Sequence, residues 1–281
     1  MLASALITLR EGLEAALIVG IVLGYLRKIG RLDRQGTVWA GVAAALGVSL
    51  AAALGLKALG AEFAGQGEQI FEGTAMLLAA AILTWMIFWM SRQSRGIKGE
   101  LETGITNALE GGRNWGLFSL AFVAVVREGL ETALFLTAAV FTSTASETVI
   151  GGLLGLVVAV AVGWLVFAGT SRLKVSLFFQ VSGALLVVFA AGLVSNAAHE
   201  FIEAGIIPAI VAHLWSTKAV LDDESALGSA LHSLLGYTAE PSLGEVLSYL
   251  GYYLVLLLGL RRGAASPSLE PGGSPRHQAT P

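Results

Sequence analysis

The chain has 281 residues, 55% of them hydrophobic and 13% charged, with a mean hydropathy of +0.75; soluble domains carry about a quarter charged residues, so lipid replaces water over most of this surface. A net charge of −3 excludes nucleic acid or another polyanion as partner. The absence of cysteine excludes disulfides, thiolate metal sites and thiol catalysis, which leaves oxygen and imidazole to hold any metal.

Apolar stretches of about 20 residues cross a bilayer as helices. Seven are predicted, in chain order Leu2–Leu26, Val38–Leu59, Ile70–Met90, Trp115–Phe141, Val149–Ala168, Leu177–Ala198 and Val246–Leu260. The fold class is all-α, a polytopic membrane protein. The first stretch is no cleavable signal peptide: no Lys or Arg precedes it, and Arg10, Glu11 and Glu14 interrupt it. Basic residues follow the first span (Arg27, Lys28, Arg31, Arg34), the third (Arg92, Arg95, Lys98, Arg113), the fifth (Arg172, Lys174) and the seventh (Arg261, Arg262). Acidic residues fill the alternate connections: Glu62 and Glu68, then Glu147, then Glu200, Glu203, Asp222, Asp223 and Glu224. This alternation predicts an N-terminus outside the cell membrane and a C-terminus inside.

The predicted organisation is a transmembrane domain over 1–262 and a disordered cytoplasmic tail over 263–281, rich in Gly, Pro and Ser. Within the domain lie repeat one (1–95), repeat two (113–203), an external segment (204–245) and the seventh helix (246–260). The repeat is legible directly. LITLREGLEAALIVGIVLG in the first span matches FVAVVREGLETALFLTAAV in the fourth, an offset of 117 (127 − 10). Phe71-Glu72-Gly73 in the third resembles Phe179-Gln180-Val181 in the sixth, an offset of 108 (180 − 72). Three spans per repeat force the second half to enter from the opposite side, the inverted arrangement of secondary transporters, whose substrate site lies near the midplane between the halves.

Each residue of a helix advances by about 100°. With Arg10 at zero, Glu11 stands at about 100° and Glu14 at about 40°, so the three share a face, as do Arg127, Glu128 and Glu131. At mid-span each charge costs about 2.5–3.5 kcal/mol, and six unpaired ones cost on the order of 15–20 kcal/mol. They must face one another, water or a cation. Four carboxylates and two guanidiniums leave a formal charge of −2 (−4 + 2), or −3 with Glu72 near the start of the third span. An anionic, oxygen-rich cage suits hard cations. The bland reading makes Arg10–Glu14 and Arg127–Glu131 intrahelical pairs that lock the bundle; it leaves Glu11 and Glu128 without partners. Gly12 and Gly129 after the first glutamates allow a neighbouring helix to come close.

Two REGLE motifs, in the first and fourth of seven spans, resemble the oxidase-dependent iron permease family, which includes fungal high-affinity iron permeases and bacterial EfeU-type ferrous iron permeases. The resemblance extends over about residues 1–260, with Phe71-Glu72-Gly73, Gly236-Tyr237 and Tyr252-Tyr253. It implies that Glu11, Glu14, Glu128 and Glu131 bind iron in transit, with Arg10 and Arg127 as the motif arginines. It also implies extracytoplasmic partners: a multicopper oxidase, or cupredoxin-like and haem-peroxidase proteins. Iron is then transported substrate, and no cofactor is permanently bound.

Weaker signals leave alternatives open. His199, Glu200 and Glu203 at the outer end of the sixth span form either a helical ligand set at a mouth or a polar helix end. Asp222 and Asp223 either concentrate cations or belong to a solvated loop. Ile206, Ile207, Ile210, Val211, Leu214 and Trp215 suggest an amphipathic piece on or in the membrane. His213 and His232 read as surface residues, Trp85, Trp89, Trp115, Tyr25 and Tyr249 as an aromatic belt, and Gly151, Gly152 and Gly155 as packing positions. No nucleotide or catalytic fingerprint is present, so the chain is expected to be neither an ATP-driven pump nor an enzyme. Competing functions are transport of manganese, lead or another divalent metal, and a membrane metal sensor without translocation.

Overall fold

The structure is a computed structural model and describes residues 1–93, 103–105, 115–167, 175–223 and 225–264. Expectations resting on Arg95, Lys98, Arg113, Arg172, Lys174, Glu224 and the tail beyond residue 264 lie outside the described residues. Within them the chain is all helical: α1 (Leu2–Lys28), a 3-10 turn at Leu32–Arg34, α2 (Gln35–Glu62), α3 (Gln66–Gln93), α4 (Trp115–Phe141), α5 (Ala145–Phe167), α6 (Val175–Glu203), α7 (Ala226–Leu235) and α8 (Leu243–Ala264). Five of them, α2, α3, α5, α6 and α8, are long and apolar enough to cross a membrane, which makes this a multi-pass membrane protein. α1 and α4 match them in length at 27 residues each, but each carries an arginine and two glutamates along its middle. The helices overrun the apolar stretches at several ends. α8 starts at Leu243 rather than Val246, giving the shortest stretch its 22 residues, and α6 continues to Glu203, which keeps His199 on the helix.

Four helices form the centre. Ala3 and Ile7 of α1, Met76, Leu83 and Met86 of α3, Phe135 and Ala138 of α4, and Leu186, Phe189 and Leu193 of α6 share one buried cluster. α5 lies along α1, α2 along α4 and α3 along α6. The outer faces of α2, α5 and α8 are lined with exposed Leu, Val and Ile, the surface a helix presents to acyl chains rather than to water.

Small residues set the spacing of the paired helices. A methyl group at Gly12 would stand 2.8 Å from Ala159 Cβ, and one at Gly163 2.8 Å from Ala16 Cβ. Gly155 has no room for a Cβ against Thr8 and the Ala5 carbonyl, nor Gly151 against the Met1 carbonyl. The contacts ascend both sequences together, so α1 and α5 run parallel. The second pair repeats the scheme: a methyl at Gly41 would stand 2.6 Å from the Phe118 carbonyl oxygen, and Gly129 meets Ser49. α3 and α6 run antiparallel, with Gln66 Nε2 donating to the Ala204 carbonyl at 2.8 Å and Gln69 Nε2 to Glu203 Oε2 at 3.1 Å.

The connection between α6 and α8 mixes irregular backbone with one short helix among the described residues. Residues 206–215 form no helix; their apolar side chains are exposed, Ile210 at 77%. Their backbone instead lies against the approach to α8, with Leu214 N–H donating to the Pro241 carbonyl (3.0 Å), Thr217 N–H to Ala239 (2.9 Å) and Leu243 N–H to Val211 (3.1 Å). Prolines 208 and 241 remove donors that a helix needs. The helix in this connection is α7, capped by Ser225 Oγ accepting from Gly228 N–H and ended by Gly236 at φ 69°. Gly236 lies so close to Gly192 of α6 that neither position accommodates a Cβ. Lys218 at 3.0 Å and the Ser216 hydroxyl at 2.8 Å hold the Glu240 carboxyl below its ordinary pKa.

Gly155→Val is expected to lower the melting temperature in detergent through forced separation of α1 and α5, at about 1–3 kcal/mol. Gly47→Ala, where nothing stands within 4 Å of an added Cβ, leaves it unchanged or raises it slightly.

Candidate metal centre

Both motifs sit on helical faces turned toward the bundle. On α1, Arg10 NH1 donates to Glu11 Oε1 at 2.6 Å and NH2 pairs with Glu14 Oε1 at 3.0 Å. On α4, Arg127 Nε donates to Glu131 Oε1 at 2.9 Å and stands 3.9 Å from Glu128 Oε1. Both i,i+4 pairs of the bland reading therefore form. They do not consume the carboxylates, because each glutamate has two oxygens and the arginines engage one.

Contact between α1 and α4 brings the motifs together. Glu11, Glu128 and Glu131 each place a carboxylate oxygen within 4.8 Å of the other two, and they are the single such acidic group among the described residues. Glu11 Oε2, Glu128 Oε2 and Glu131 Oε2 are buried without a hydrogen-bond donor. A buried acceptor left unsatisfied costs about 1–3 kcal/mol and more when charged. Two like charges about 4 Å apart repel by about 4 kcal/mol at an effective dielectric of 20. A cation among the three oxygens removes both penalties. Hard cations bind oxygen at about 2.0–2.2 Å, which sets opposite ligands at most about 4.4 Å apart, so the observed spread needs little contraction.

The two halves of the site are unequal. The Arg10 side chain is 1% exposed and the Arg127 side chain 34%. Consecutive residues of α3 meet the two arginines: Met86 Sδ accepts from Arg10 NH1 at 3.1 Å, and Arg127 Cζ stands 6.0 Å from the centroid of the Trp85 ring. The sequence pattern gave neither residue a role at the centre: Trp85 read as part of an aromatic belt, and nothing singled out Met86.

The remaining sequence candidates fall elsewhere. Glu14 joins through Arg10 and is not one of the three converging carboxylates. Glu72 also stands apart from them; its electrostatic neighbours are Glu200 and Glu68, where the start of α3 meets the end of α6. At that same end His199 bridges two carboxylates, Nδ1 at 2.8 Å from Glu245 Oε1 and Nε2 at 3.2 Å from Glu203 Oε1. Glu245 is 4% exposed, takes a hydrogen bond from Ser242 Oγ at 3.1 Å, and gives its own N–H to that hydroxyl at 3.3 Å. Sequence reasoning missed it, although Ser242-x-x-Glu245 ahead of an apolar run is a capping box. Asp223 accepts the Ala239 N–H with both oxygens, at 2.9 and 3.1 Å, and the Asp222 carbonyl accepts from Ser225. Both serve the connection rather than the acidic centre.

A helical membrane protein with paired Arg-Glu-Gly-Leu-Glu helices around a carboxylate centre has the elements of a metal permease. The profile of the iron permease FTR1 family matches residues 1–263, and the chain belongs to that family. Among its relatives, the ferrous iron permease EfeU of Yersinia pestis is 38% identical over 255 residues, covering 90% of each chain. The protein of the same description from Escherichia coli O157:H7 is 36% identical over 255 residues, covering 90% of this chain and 92% of its own. No solved structure matches.

Arg10→Ala leaves Glu11 and Glu14 uncompensated in a buried site, and its expected destabilisation is about 3–5 kcal/mol. Arg127→Ala, at a partly exposed position, is expected to lower the melting temperature less. Thermal unfolding in detergent orders the two.

Proposed function

We propose that this chain is a seven-span permease that carries iron across the cytoplasmic membrane into the cell, with Glu11, Glu128 and Glu131 as ligands of the ion in transit. The observation that carries this reading is the convergence of three buried carboxylates, each with one oxygen lacking a donor. Membership of an iron permease family and relatives described as ferrous iron permeases supply the metal.

Charge favours the divalent ion. Four glutamates and two arginines sum to −2, and a ferrous ion brings the assembly to zero (−4 + 2 + 2), the cheapest total in a medium of low dielectric. Arg10 and Arg127 act as tethered cations that hold carboxylate geometry between passages. Glu14 offers the ion its second carboxylate oxygen beside the centre while its first stays paired with Arg10. Protonation of one glutamate in the cycle lowers the charge of the empty site. Glu72, with Glu68 and Glu200, and the His199–Glu203–Glu245 group form an acidic approach at the outer end. Asp222 and Asp223 add to the negative field there.

The contacts of the paired helices support the inverted repeat. Gly12 against Ala159 corresponds to Gly129 against Ser49, and Met1 against Gly151 to Phe118 against Gly41. The offset is 117 for α1 and α4 (129 − 12, 118 − 1) and 110 for α2 and α5 (159 − 49, 151 − 41). α1, α2 and α3 thus form one repeat, α4, α5 and α6 the other, and α8 the seventh span. The centre lies where the two repeats meet, as alternating access requires. Positive charge after α1 and α8 supports an N-terminus outside and a C-terminus inside. An extracytoplasmic oxidase, or cupredoxin and peroxidase proteins, supply the metal to the 204–242 connection.

In sealed proteoliposomes the wild type accumulates iron, Glu14→Gln and Glu131→Gln abolish accumulation, and manganese and zinc compete weakly. Tight iron binding without flux would make the chain a sensor. Because the chain lacks cysteine, orientation is checked by single replacements. Ser216→Cys is expected to react with an impermeant maleimide added outside intact cells, and Asp33→Cys only after permeabilisation.

A further inference from the structure

The trio of carboxylates explains how a cation is held, but not how one cation is preferred. Oxygen ligands alone separate iron from manganese, magnesium or calcium poorly. A donor of another kind, a thioether, also stands against the charged groups of α1.

Met86 is fully buried, at 0% exposure. Arg10 NH1 stands 3.1 Å from its sulfur and 2.6 Å from Glu11 Oε1, so oxygen and sulfur lie no more than 5.7 Å apart (2.6 + 3.1). A positively charged nitrogen thus rests between two atoms of metal-ligand type. Metal–oxygen bonds run to about 2.0–2.2 Å and metal–sulfur bonds to about 2.3 Å, so an ion in place of the nitrogen needs an inward shift of about 0.5 Å by the oxygen and about 0.8 Å by the sulfur. Packing does not require sulfur here, since Leu83 and Leu193 fill the same cluster. The related position of the second repeat, 108 residues on (86 + 108), is Val194, and Arg127 meets the Trp85 ring instead. The thioether belongs to one half of the site.

We propose that Met86 is a metal ligand that determines specificity: when iron displaces the Arg10 guanidinium from Glu11, the Met86 sulfur coordinates the ion opposite that carboxylate. Thioether sulfur is a soft donor. It contributes to binding of ferrous iron and little to binding of the harder manganous, magnesium and calcium ions. The freed guanidinium keeps its pairing with Glu14 through NH2, 3.0 Å away. This inference rests on the reading of the carboxylate centre as the path of iron.

The test uses the full chain labelled with selenomethionine and loaded anaerobically with ferrous iron alone. X-ray absorption at the iron edge is expected to show an iron–selenium path at bonding distance in the wild type and none in Met86→Leu. Met–Leu exchanges in a core are tolerated at less than about 1.5 kcal/mol, so the variant folds. In proteoliposomes Met86→Leu is expected to lower the ratio of iron to manganese uptake by roughly tenfold or more, mainly through iron. Met76→Leu, buried on the same helix away from the arginines, retains both the path and the ratio. An oxygen-only shell around iron bound to the wild type, or an unchanged uptake ratio in Met86→Leu, overturns the inference and leaves the permease reading standing. A wild type that neither binds nor carries iron overturns the permease reading itself.

Discussion

Like-charged carboxylates do not stay together in a medium of low dielectric unless positive charge is built in beside them, and Arg10 supplies it from a fully buried position. Its guanidinium spans Glu11 and Glu14 on its own helix and reaches α3 through Met86. Arg127 does the same for Glu131 on α4, from a more open position. Each arginine satisfies one oxygen of a partner and leaves the other facing inward. The centre is therefore charged enough to attract a cation and compensated enough to exist without one. That balance requires α1 and α4 to be adjacent. Their adjacency rests in turn on glycine and alanine faces that let α5 and α2 press against them from outside.

α3 unites the arrangement. Three consecutive residues reach three other helices: Thr84 shares a hydrogen bond of 2.9 Å with Tyr252 of α8, Trp85 faces Arg127 of α4, and Met86 holds Arg10 of α1. At its other end, Gln66 and Gln69 tie α3 to the end of α6, where Glu203, His199 and Glu245 form a chain into the first turn of α8. The helix that contacts both arginines is thus anchored to the polar network at one end of the bundle. A displacement of α3 alters the compensation of both motifs at once. This is a physical route by which occupancy of the centre and the position of the helices depend on each other.

Much of this was legible in the sequence because a membrane punishes unpaired charge. Two Arg-Glu-Gly-Leu-Glu runs within apolar stretches have few ways to exist, so their burial, their shared faces and their meeting followed from helical spacing and the cost of desolvation alone. Helix existence followed from apolar length, and the close approach at Gly12 and Gly129 from the missing side chain. The acidic signals outside the spans were less specific, since a charge in water costs nothing. Asp223 read either as a cation collector or as part of a solvated loop, and its carboxylate accepts the Ala239 N–H; the apolar run at 206–215 read as amphipathic, and with Pro208 inside it the backbone there is irregular.

By itself, then, the sequence determined the solvent of the chain, the helices that carry charge and the six charged side chains of the motifs, because these depend on local period and on the dielectric around a helix. Only the tertiary structure decided which carboxylates converge: Glu11, Glu128 and Glu131, with Glu14 held aside. It alone decided that Arg10 is sealed while Arg127 is open, and that Met86, Trp85 and Glu245 belong beside charge. Those outcomes depend on which rotamers fit between helices far apart in the chain, and no spacing within a single helix encodes a neighbour that another helix provides.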